Sequence, residues 1–369
     1  MTTLDVDYVL PLRWDDDRNL DDLTEYLSRL SRWVRVIIVD SSPAPLFAAH
    51  ARAWRGMALH IRPDPAVDFA NGKVNGVVTG VRRAHARHLI IADDDIRYDE
   101  RALRAMERLL GEADLVRPQN YFAPAPWHAR WDTARTLLNR SFGADYPGTL
   151  GIRRATFEAM GGYDGDVLFE NLELIRTVHA YGGIERRPLD LYVRRRPPDT
   201  RRFLSQRIRQ AYDDTAQPVR MVMFLTVLPG LATAVVRRRP AVAASAAGAL
   251  IGLAELGRRR AGGTEVFPVT AALLAPIWVL ERGTCSWLAL GTRIGRGGVM
   301  YAGRRIRVAA HSVPQLRSRA FSRQTGASGT DPARKPTALC EPSQNGFVPE
   351  RPQRHSATVF RHASIRRPS

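Results

Sequence analysis

Short apolar runs alternate with helical periodicity along the first hundred residues. Tyr8-Val9-Leu10-Pro11 and Val34-Arg35-Val36-Ile37-Ile38-Val39 predict strands, the first closing on Pro11 and the second on Asp40-Ser41-Ser42. Between them Leu20, Leu23, Leu27 and Leu30 recur at helical spacing. Asp21, Asp22 and Glu25 fill the opening turns, where the helix dipole favours negative charge. Asn71-Gly72-Lys73-Val74-Asn75-Gly76 predicts a helix start, and the next apolar run, His88 to Ala92, stops at Asp93-Asp94-Asp95. Strands alternating with helices predict an α/β fold whose parallel sheet is covered on both faces. Ligands of open α/β sheets sit at the carboxyl ends of strands, where this pattern puts the three carboxylates. In an extended chain Asp93 and Asp95 point the same way, and a divalent cation held by one or two carboxylates keeps positions free for diphosphate oxygens.

The remaining chain divides by composition. The stretch from Tyr121 to Trp131 is aromatic and punctuated by Pro124 and Pro126, which predicts a loop with Trp127 and Trp131 available to stack on a sugar or lipid. After Pro218, charge-free apolar stretches run over residues 221–236, 240–254 and 266–280, separated by Arg237-Arg238-Arg239 and Arg258-Arg259-Arg260. A single crossing needs about 20 residues; each stretch falls slightly short, so spanning, interfacial and re-entrant arrangements all stay open. From His311 onward the chain is rich in Pro, Ser and Arg without periodicity, which predicts disorder and a basic tail near anionic lipid. The expected organisation is a catalytic domain over 1–217, a membrane-associated helical region over 218–310 and a disordered tail over 311–369.

Taken in order, Pro11, Asp40-Ser41-Ser42, Gly72-Lys73 with Asn75-Gly76, and Asp93-Asp94-Asp95 resemble the family 2 glycosyltransferases. These have the GT-A fold, a Rossmann-like nucleotide-diphospho-sugar transferase domain, and the resemblance covers about residues 5–215. It implies that Asp40 contacts the base of a nucleotide sugar, that Pro11 and Lys73 lie beside the donor, and that Asp93 and Asp95 engage Mn²⁺ or Mg²⁺ and the diphosphate. Among 55 basic residues only Lys73 and Lys335 are lysines, which singles out Lys73. Tyr146 to Arg154 resembles the small-residue segment and arginine pair that flank the donor sugar. Gly161-Gly162-Tyr163-Asp164 followed by Glu170-Asn171 is similar to the family's Gly-Gly-(Phe/Tyr)-Asp ahead of the acidic pair that supplies the general base. Asn171 cannot act as a base, so the role passes to Glu170, with Glu173 on the same helical face as a second candidate. Gln206-x-x-Arg209 resembles the Gln-x-x-Arg-Trp motif of membrane-bound members such as polysaccharide synthases and ceramide glucosyltransferase-like enzymes. Gln210 stands where Trp is expected, which leaves the acceptor end open, with Tyr212 a candidate substitute beside Gln206 and Trp127. Arg209 is suited to neutralise the departing diphosphate.

The formal charge of +18 raises nucleic-acid binding, yet no zinc spacing, helix-turn-helix or RNA-binding aromatic motif accompanies it. Arginines around apolar segments account for it better. Cys285 and Cys340 are too few for a disulfide framework, and the acidic start argues against a cleaved signal, so the catalytic domain is expected on the cytoplasmic face. The expectation is an inverting, metal-dependent glycosyltransferase of the cell envelope with a nucleotide-sugar donor and a lipid or lipid-linked glycan acceptor. Asn171 and Gln210 keep one alternative, a catalytically silent nucleotide-sugar-binding membrane protein.

Overall fold

The computed structural model describes residues 3–301 and 303–324. Its centre is the parallel set β1 (Val6–Leu12), β2 (Arg35–Asp40), β3 (Leu59–Ile61) and β4 (His88–Ala92), connected through α1 (Leu20–Leu30), α2 (Ala44–Ala53) and α3 (Gly72–Arg82). Tyr8, Val9, Ile37, Ile38 and Ile90 are fully buried, as expected of strands with helices on both faces. The four Leu residues of the α1 stripe behave as their spacing implies: Leu23, Leu27 and Leu30 enter the core and Leu20 packs on its edge. The Asn71 side chain caps α3 by accepting the Lys73 backbone N–H at 3.1 Å. A Cβ on Gly76 would fall 2.7 Å from Pro11 Cβ, and one on Gly80 would fall 2.4 Å from Val9 Cγ1. These two glycines let α3 lie directly on β1, which carries Lys73 over the strand ends.

After β4 the chain forms β5 (Ile96–Arg97), α4 (Glu100–Leu110), β6 (Leu115–Val116), β7 (Gln119–Phe122), α5 (Trp127–Phe142) and β8 (Thr149–Arg153). It continues as α6 (Arg154–Ala159), α7 (Glu170–Tyr181), β9 (Glu185–Arg186) and β10 (Tyr192–Arg195). The main sheet has the order β3-β2-β1-β4-β8-β6-β9, with β8 antiparallel to β4 and β6. A second sheet, β5-β10-β7, brings the end of β10 to the carboxylates that follow β4. The expected loop around Trp127 is instead the first turn of α5. Its two prolines punctuate the approach, and Pro126 sits at the N-cap, where the missing N–H costs nothing.

The helical region comprises α8 (Thr200–Ser205), α9 (Arg207–Asp213), α10 (Pro218–Leu225), α11 (Val227–Val236), α12 (Pro240–Arg259), α13 (Val269–Leu273) and α14 (Ala275–Arg296). Two stretches, Pro218–Val236 and Pro240–Glu265, are long and apolar enough to cross a membrane, and their side chains are mostly exposed. The third expected stretch differs. Residues 266–280 form α13 and the start of α14, and Ala271, Ala272, Ala275 and Trp278 are buried with Ala134 and Leu137 of α5. Polar anchors follow: Arg207 makes a two-pronged contact with Glu281, at 3.1 Å and 2.6 Å, and Arg282 lies 3.4 Å from Asp214. A helix carrying such buried ion pairs is held by protein and not by lipid. At the far end of α12, a Cβ on Gly257 would fall 1.9 Å from the Leu137 carbonyl oxygen, so this glycine permits the close crossing with α5.

The chain then returns to the strand-bearing half through a hairpin of β11 (Val299–Tyr301) and β12 (Arg304–Ile306), followed by α15 (Val313–Gln324). Disorder expected from 311 therefore does not hold at its start, because α15 packs on α7; the rest of the expected tail lies outside the described residues. Val308 and Ala309 accept backbone N–H bonds from Leu168 and Phe169, at 3.0 Å and 2.8 Å. The returning segment thus straps the loop that leads into α7.

Candidate active site

Carboxyl ends of β1, β2 and β4 open into a cleft of about 280 Å³ that also takes side chains from α7, β10, α8, α9 and the C-terminal hairpin. Of the residues expected from sequence, Pro11, Lys73, Asp93, Asp95, Glu170, Gln206 and Arg209 line it. Lys73 Nζ lies 2.6 Å from Asp93 Oδ1 and 2.6 Å from Glu170 Oε1, so one cation joins the strand-end carboxylate to the first turn of α7. From the opposite side Arg195 reaches Asp95 Oδ2 at 2.9 Å and Asp93 Oδ2 at 3.4 Å. Asp94 also lines the cleft and accepts from the Trp14 indole N–H. The chain is not extended here: the Ile96 N–H donates to the Asp93 carbonyl at 3.2 Å, and this turn brings Asp93 and Asp95 to one partner while Asp94 takes another.

The electrostatics separate the two carboxylates. Burial works to raise Asp93, but the charges of Lys73 and Arg195 hold it below the ordinary carboxylate range. Burial pushes Asp95 up to about 6, with Asp93 and Asp94 adding to it and Arg195 opposing. Against the cost of burial, Asp93 and Glu170 raise the proton affinity of Lys73, which stays charged. Asp95 Oδ1 is buried with no hydrogen-bond partner among the described residues. An orphaned carboxylate oxygen beside a second carboxylate is the donor set that suits Mg²⁺ or Mn²⁺.

Glycine and asparagine complete the wall. A Cβ on Gly148 would fall 2.6 Å from Asp93 Oδ2 and 3.1 Å from Arg195 Cζ, so only glycine fits beside this pair. Asn171 donates from Nδ2 to the Pro147 carbonyl at 3.1 Å, which an aspartate could not do. The residue that departs from the expected acidic pair therefore fixes the backbone next to Gly148.

Other expected residues lie elsewhere. Asp40 is buried at the end of β2. Its Oδ1 accepts from the Ser42 N–H at 2.8 Å, while Oδ2 faces His50 Nδ1 at 2.7 Å and His60 Nε2 at 2.9 Å. Burial opposes ionisation of Asp40, yet these hydrogen bonds hold its proton affinity far below the usual range. Glu173, on the same face of α7, is 0% exposed and does not line the cleft; its oxygens meet His311 N at 2.7 Å and His311 Nδ1 at 2.8 Å. Asp40 with His50 and His60, and Asp164 with Glu173 and His311, are the two clusters of metal-ligand type among the described residues, and both lie outside the cleft lining. Tyr212 is buried and donates its hydroxyl to the Arg307 carbonyl at 2.8 Å. Trp127 is 53% exposed, with its ring edge-on to Trp131 and Phe203. Arg153 and Arg154, expected near the donor sugar, donate to the backbone carbonyls of Leu110, Gly111 and Ala86.

The sequence reading missed Arg195, Arg13, Arg202 and Tyr301, all of which line the cleft. Arg195 sits at the end of the strand-like run Tyr192–Arg195, a signal submerged in three consecutive arginines. Tyr301 is far in sequence from every motif and stacks its ring 5.4 Å from the Arg209 guanidinium.

No protein-family model and no curated protein sequence matches this chain. Solved structures do. Mannosyltransferase PcManGT from Pyrobaculum calidifontis, determined in complex with GDP-Man and Mn²⁺, superposes with a TM-score of 0.51 at 15% identity, over 78% of this chain and 88% of its own. Mannosyl-3-phosphoglycerate synthase from Rubrobacter xylanophilus matches 55% of this chain and 70% of its own at 15% identity, with a TM-score of 0.37. Residues 1–349 of S. aureus TarS, in complex with UDP-GlcNAc, match 54% of this chain and 60% of their own at 10% identity, with a TM-score of 0.39. At such identities the likeness is one of architecture. The chain has the GT-A fold, the architecture of nucleotide-diphospho-sugar transferases.

Proposed function

We propose that this protein is an inverting, metal-dependent glycosyltransferase of the family 2 type, moving a sugar from a nucleotide-sugar donor to a lipid or lipid-linked glycan. One observation carries the reading: at the carboxyl ends of parallel strands, Asp93 and Asp95 face Lys73, Arg195 and Glu170 across one cleft. Asp93 and Asp95 are the residues that would hold Mn²⁺ or Mg²⁺, and the ion would supply charge that offsets the nucleoside diphosphate. In the reaction the acceptor hydroxyl oxygen bonds to the anomeric carbon as the bond from that carbon to the diphosphate oxygen breaks. The electron pair leaves with the diphosphate and the hydroxyl proton goes to the Glu170 carboxylate. Lys73 orients Glu170 through their ion pair, and Arg195 and Lys73 add positive potential where charge develops on the leaving group. The exposed apolar stretches Pro218–Val236 and Pro240–Glu265 support attachment to a bilayer.

The test is nucleoside diphosphate release by the detergent-solubilised full chain, over a nucleotide-sugar panel with Mn²⁺ or Mg²⁺ and a membrane lipid extract. Metal-dependent release that disappears in Asp95→Asn supports the reading. Metal-dependent donor binding without release across the panel would replace it with a silent nucleotide-sugar-binding protein.

A further inference from the structure

We propose that Asp40, His50 and His60 form a zinc site, separate from the cleft and from the carboxylate pair Asp93 and Asp95. The inference does not depend on the sugar-transfer reading.

The ligand atoms come from three consecutive elements. Asp40 closes β2, His50 lies in the last turn of α2, and His60 is the middle residue of β3. Asp40 Oδ2 stands 2.7 Å from His50 Nδ1 and 2.9 Å from His60 Nε2. One ligand atom from each of the three residues lies within 4.8 Å of the others. Zinc binds imidazole nitrogen and carboxylate oxygen at about 2.0–2.2 Å, so two ligands of a tetrahedral ion stand about 3.3 Å apart. Opening the two Asp40 distances by about 0.5 Å meets that geometry. Two nitrogens and one oxygen form a donor set that zinc takes, with its fourth position left to water.

The outer contacts are those of a ligating histidine. His50 has a carboxylate on each side of its ring: Nδ1 faces Asp40, and Nε2 faces Asp17 Oδ1 at 2.9 Å. A neutral ring has one N–H and can donate to only one of these carboxylates. With a cation on Nδ1, the Nε2–H donates to Asp17, and a metal-bound imidazole usually gives its second nitrogen to a carboxylate in this way. Asp40 is oriented likewise, since its Oδ1 accepts the Ser42 N–H at 2.8 Å.

Charge and burial agree. Asp40 and His50 are fully buried, and the His60 side chain is 6% exposed. Asp40 has no lysine or arginine within ion-pair distance among the described residues, and Arg62 turns its guanidinium to the backbone carbonyls of Asp40 and Ser42. A divalent ion would offset Asp40 and Asp17 together. Aromatic rings close the surroundings: Trp54 stacks on His50 with centroids 4.7 Å apart, Trp14 meets it edge-on at 5.4 Å, and Phe47 stacks on His60 at 4.2 Å. Such a shell limits solvent access and strengthens the attraction between ion and ligands. The ion would tie the short edge strand β3 to β2 and α2.

The experiment strips the untagged full-length protein with a chelator in detergent and returns Zn²⁺ in the presence of excess Mg²⁺. Bound zinc after gel filtration and Tm are then measured. The parent should retain about one zinc per chain and gain Tm when zinc returns. His60→Gln, whose amide N–H can still donate to Asp40, should lose the zinc and the gain, while its zinc-free Tm stays near that of the zinc-free parent. Asp17→Asn touches only the outer nitrogen of His50, so it keeps the test alive if His60→Gln does not fold; its zinc affinity should fall by roughly ten- to a hundredfold. Asp95→Asn in the cleft and His311→Gln in the second cluster should bind zinc as the parent does. A parent that retains no zinc overturns the site, as does undiminished affinity in His60→Gln or Asp17→Asn. Loss of zinc in Asp95→Asn or His311→Gln would place the ion elsewhere and overturn it as well.

Discussion

Lys73 Nζ is 2.6 Å from Glu170 Oε1, an ion pair that joins the first turn of α3 to the first turn of α7. The same ammonium sits 2.6 Å from Asp93. Lys73→Met removes the only cation common to both carboxylates and should lower donor affinity and turnover together, by roughly ten- to a hundredfold each. Steady-state kinetics that separate KM from kcat check this; a change in KM alone would confine Lys73 to the donor.

Glu170→Gln keeps the size and one hydrogen-bond acceptor for Lys73 but removes the proton acceptor. Nucleoside diphosphate release should fall by on the order of a hundredfold or more, with metal-dependent donor binding retained. Near-normal release would remove Glu170 from the chemistry.

Glu281→Gln breaks the two-pronged contact with Arg207, which is otherwise held by Asp132 at 2.9 Å and Gln210 at 2.9 Å. A buried guanidinium then loses half its compensation, at a cost of roughly 1–3 kcal/mol. A lower Tm in detergent is the expected result, and turnover should drop as well, because α9 carries Arg209 beside Arg207. A Tm indistinguishable from the parent would show that the pair is dispensable.

Asp213 gives a pH dependence. Burial, with Glu170 and Asp214 adding to it and Arg209 opposing, pushes its carboxyl up to about 8, from 3.8 in an unfolded chain. Between those values the folded protein holds a proton that the unfolded chain has released, so this group makes stability decline as pH rises, and the penalty is complete above 8. Asp213→Asn should remove that slope, raising Tm relative to the parent by more at pH 8.5 than at pH 5. Parallel Tm profiles for parent and variant would contradict the assignment.

His311→Ala leaves the fully buried Glu173 carboxylate without its imidazole partner, although Glu173 does not line the cleft. A loss of roughly 1–3 kcal/mol is expected, read as a lower Tm with the donor KM little changed. An altered donor KM at parental Tm would mean that the strap acts on the site and not on the fold.

The first hundred residues were legible because parallel strands buried on both faces leave continuous apolar runs, and two of these runs stop at residues that line the cleft, Pro11 and Asp93. The α1 helix announced itself through its leucine spacing. Asp40 shows where this way of reading stops. Its position at a strand end was clear, but which atoms satisfy it depends on His50 and His60, brought close only by α2 and β3. Trp127 hid its helix behind two prolines that stop short of it. Residues 266–280 looked like lipid-facing chain because hydropathy does not record that Glu281 and Arg282, just beyond, are clamped to Arg207 and Asp214. The α15 helix has an arginine- and serine-rich sequence with little apolar periodicity of its own, and its support comes from α7. Arg195 was one arginine among many; only the pairing of β10 with β5 and β7 says which of them meets Asp95.

Tyr301 enters the cleft from beyond both apolar stretches, while every motif of the donor site precedes them. During synthesis the elements that carry Pro11, Lys73 and Asp93 to the cleft emerge with one wall still missing. That wall arrives only when the helical region has been made and the chain has turned back through the hairpin. Completion of the cleft therefore waits on chain that lies beyond both apolar stretches.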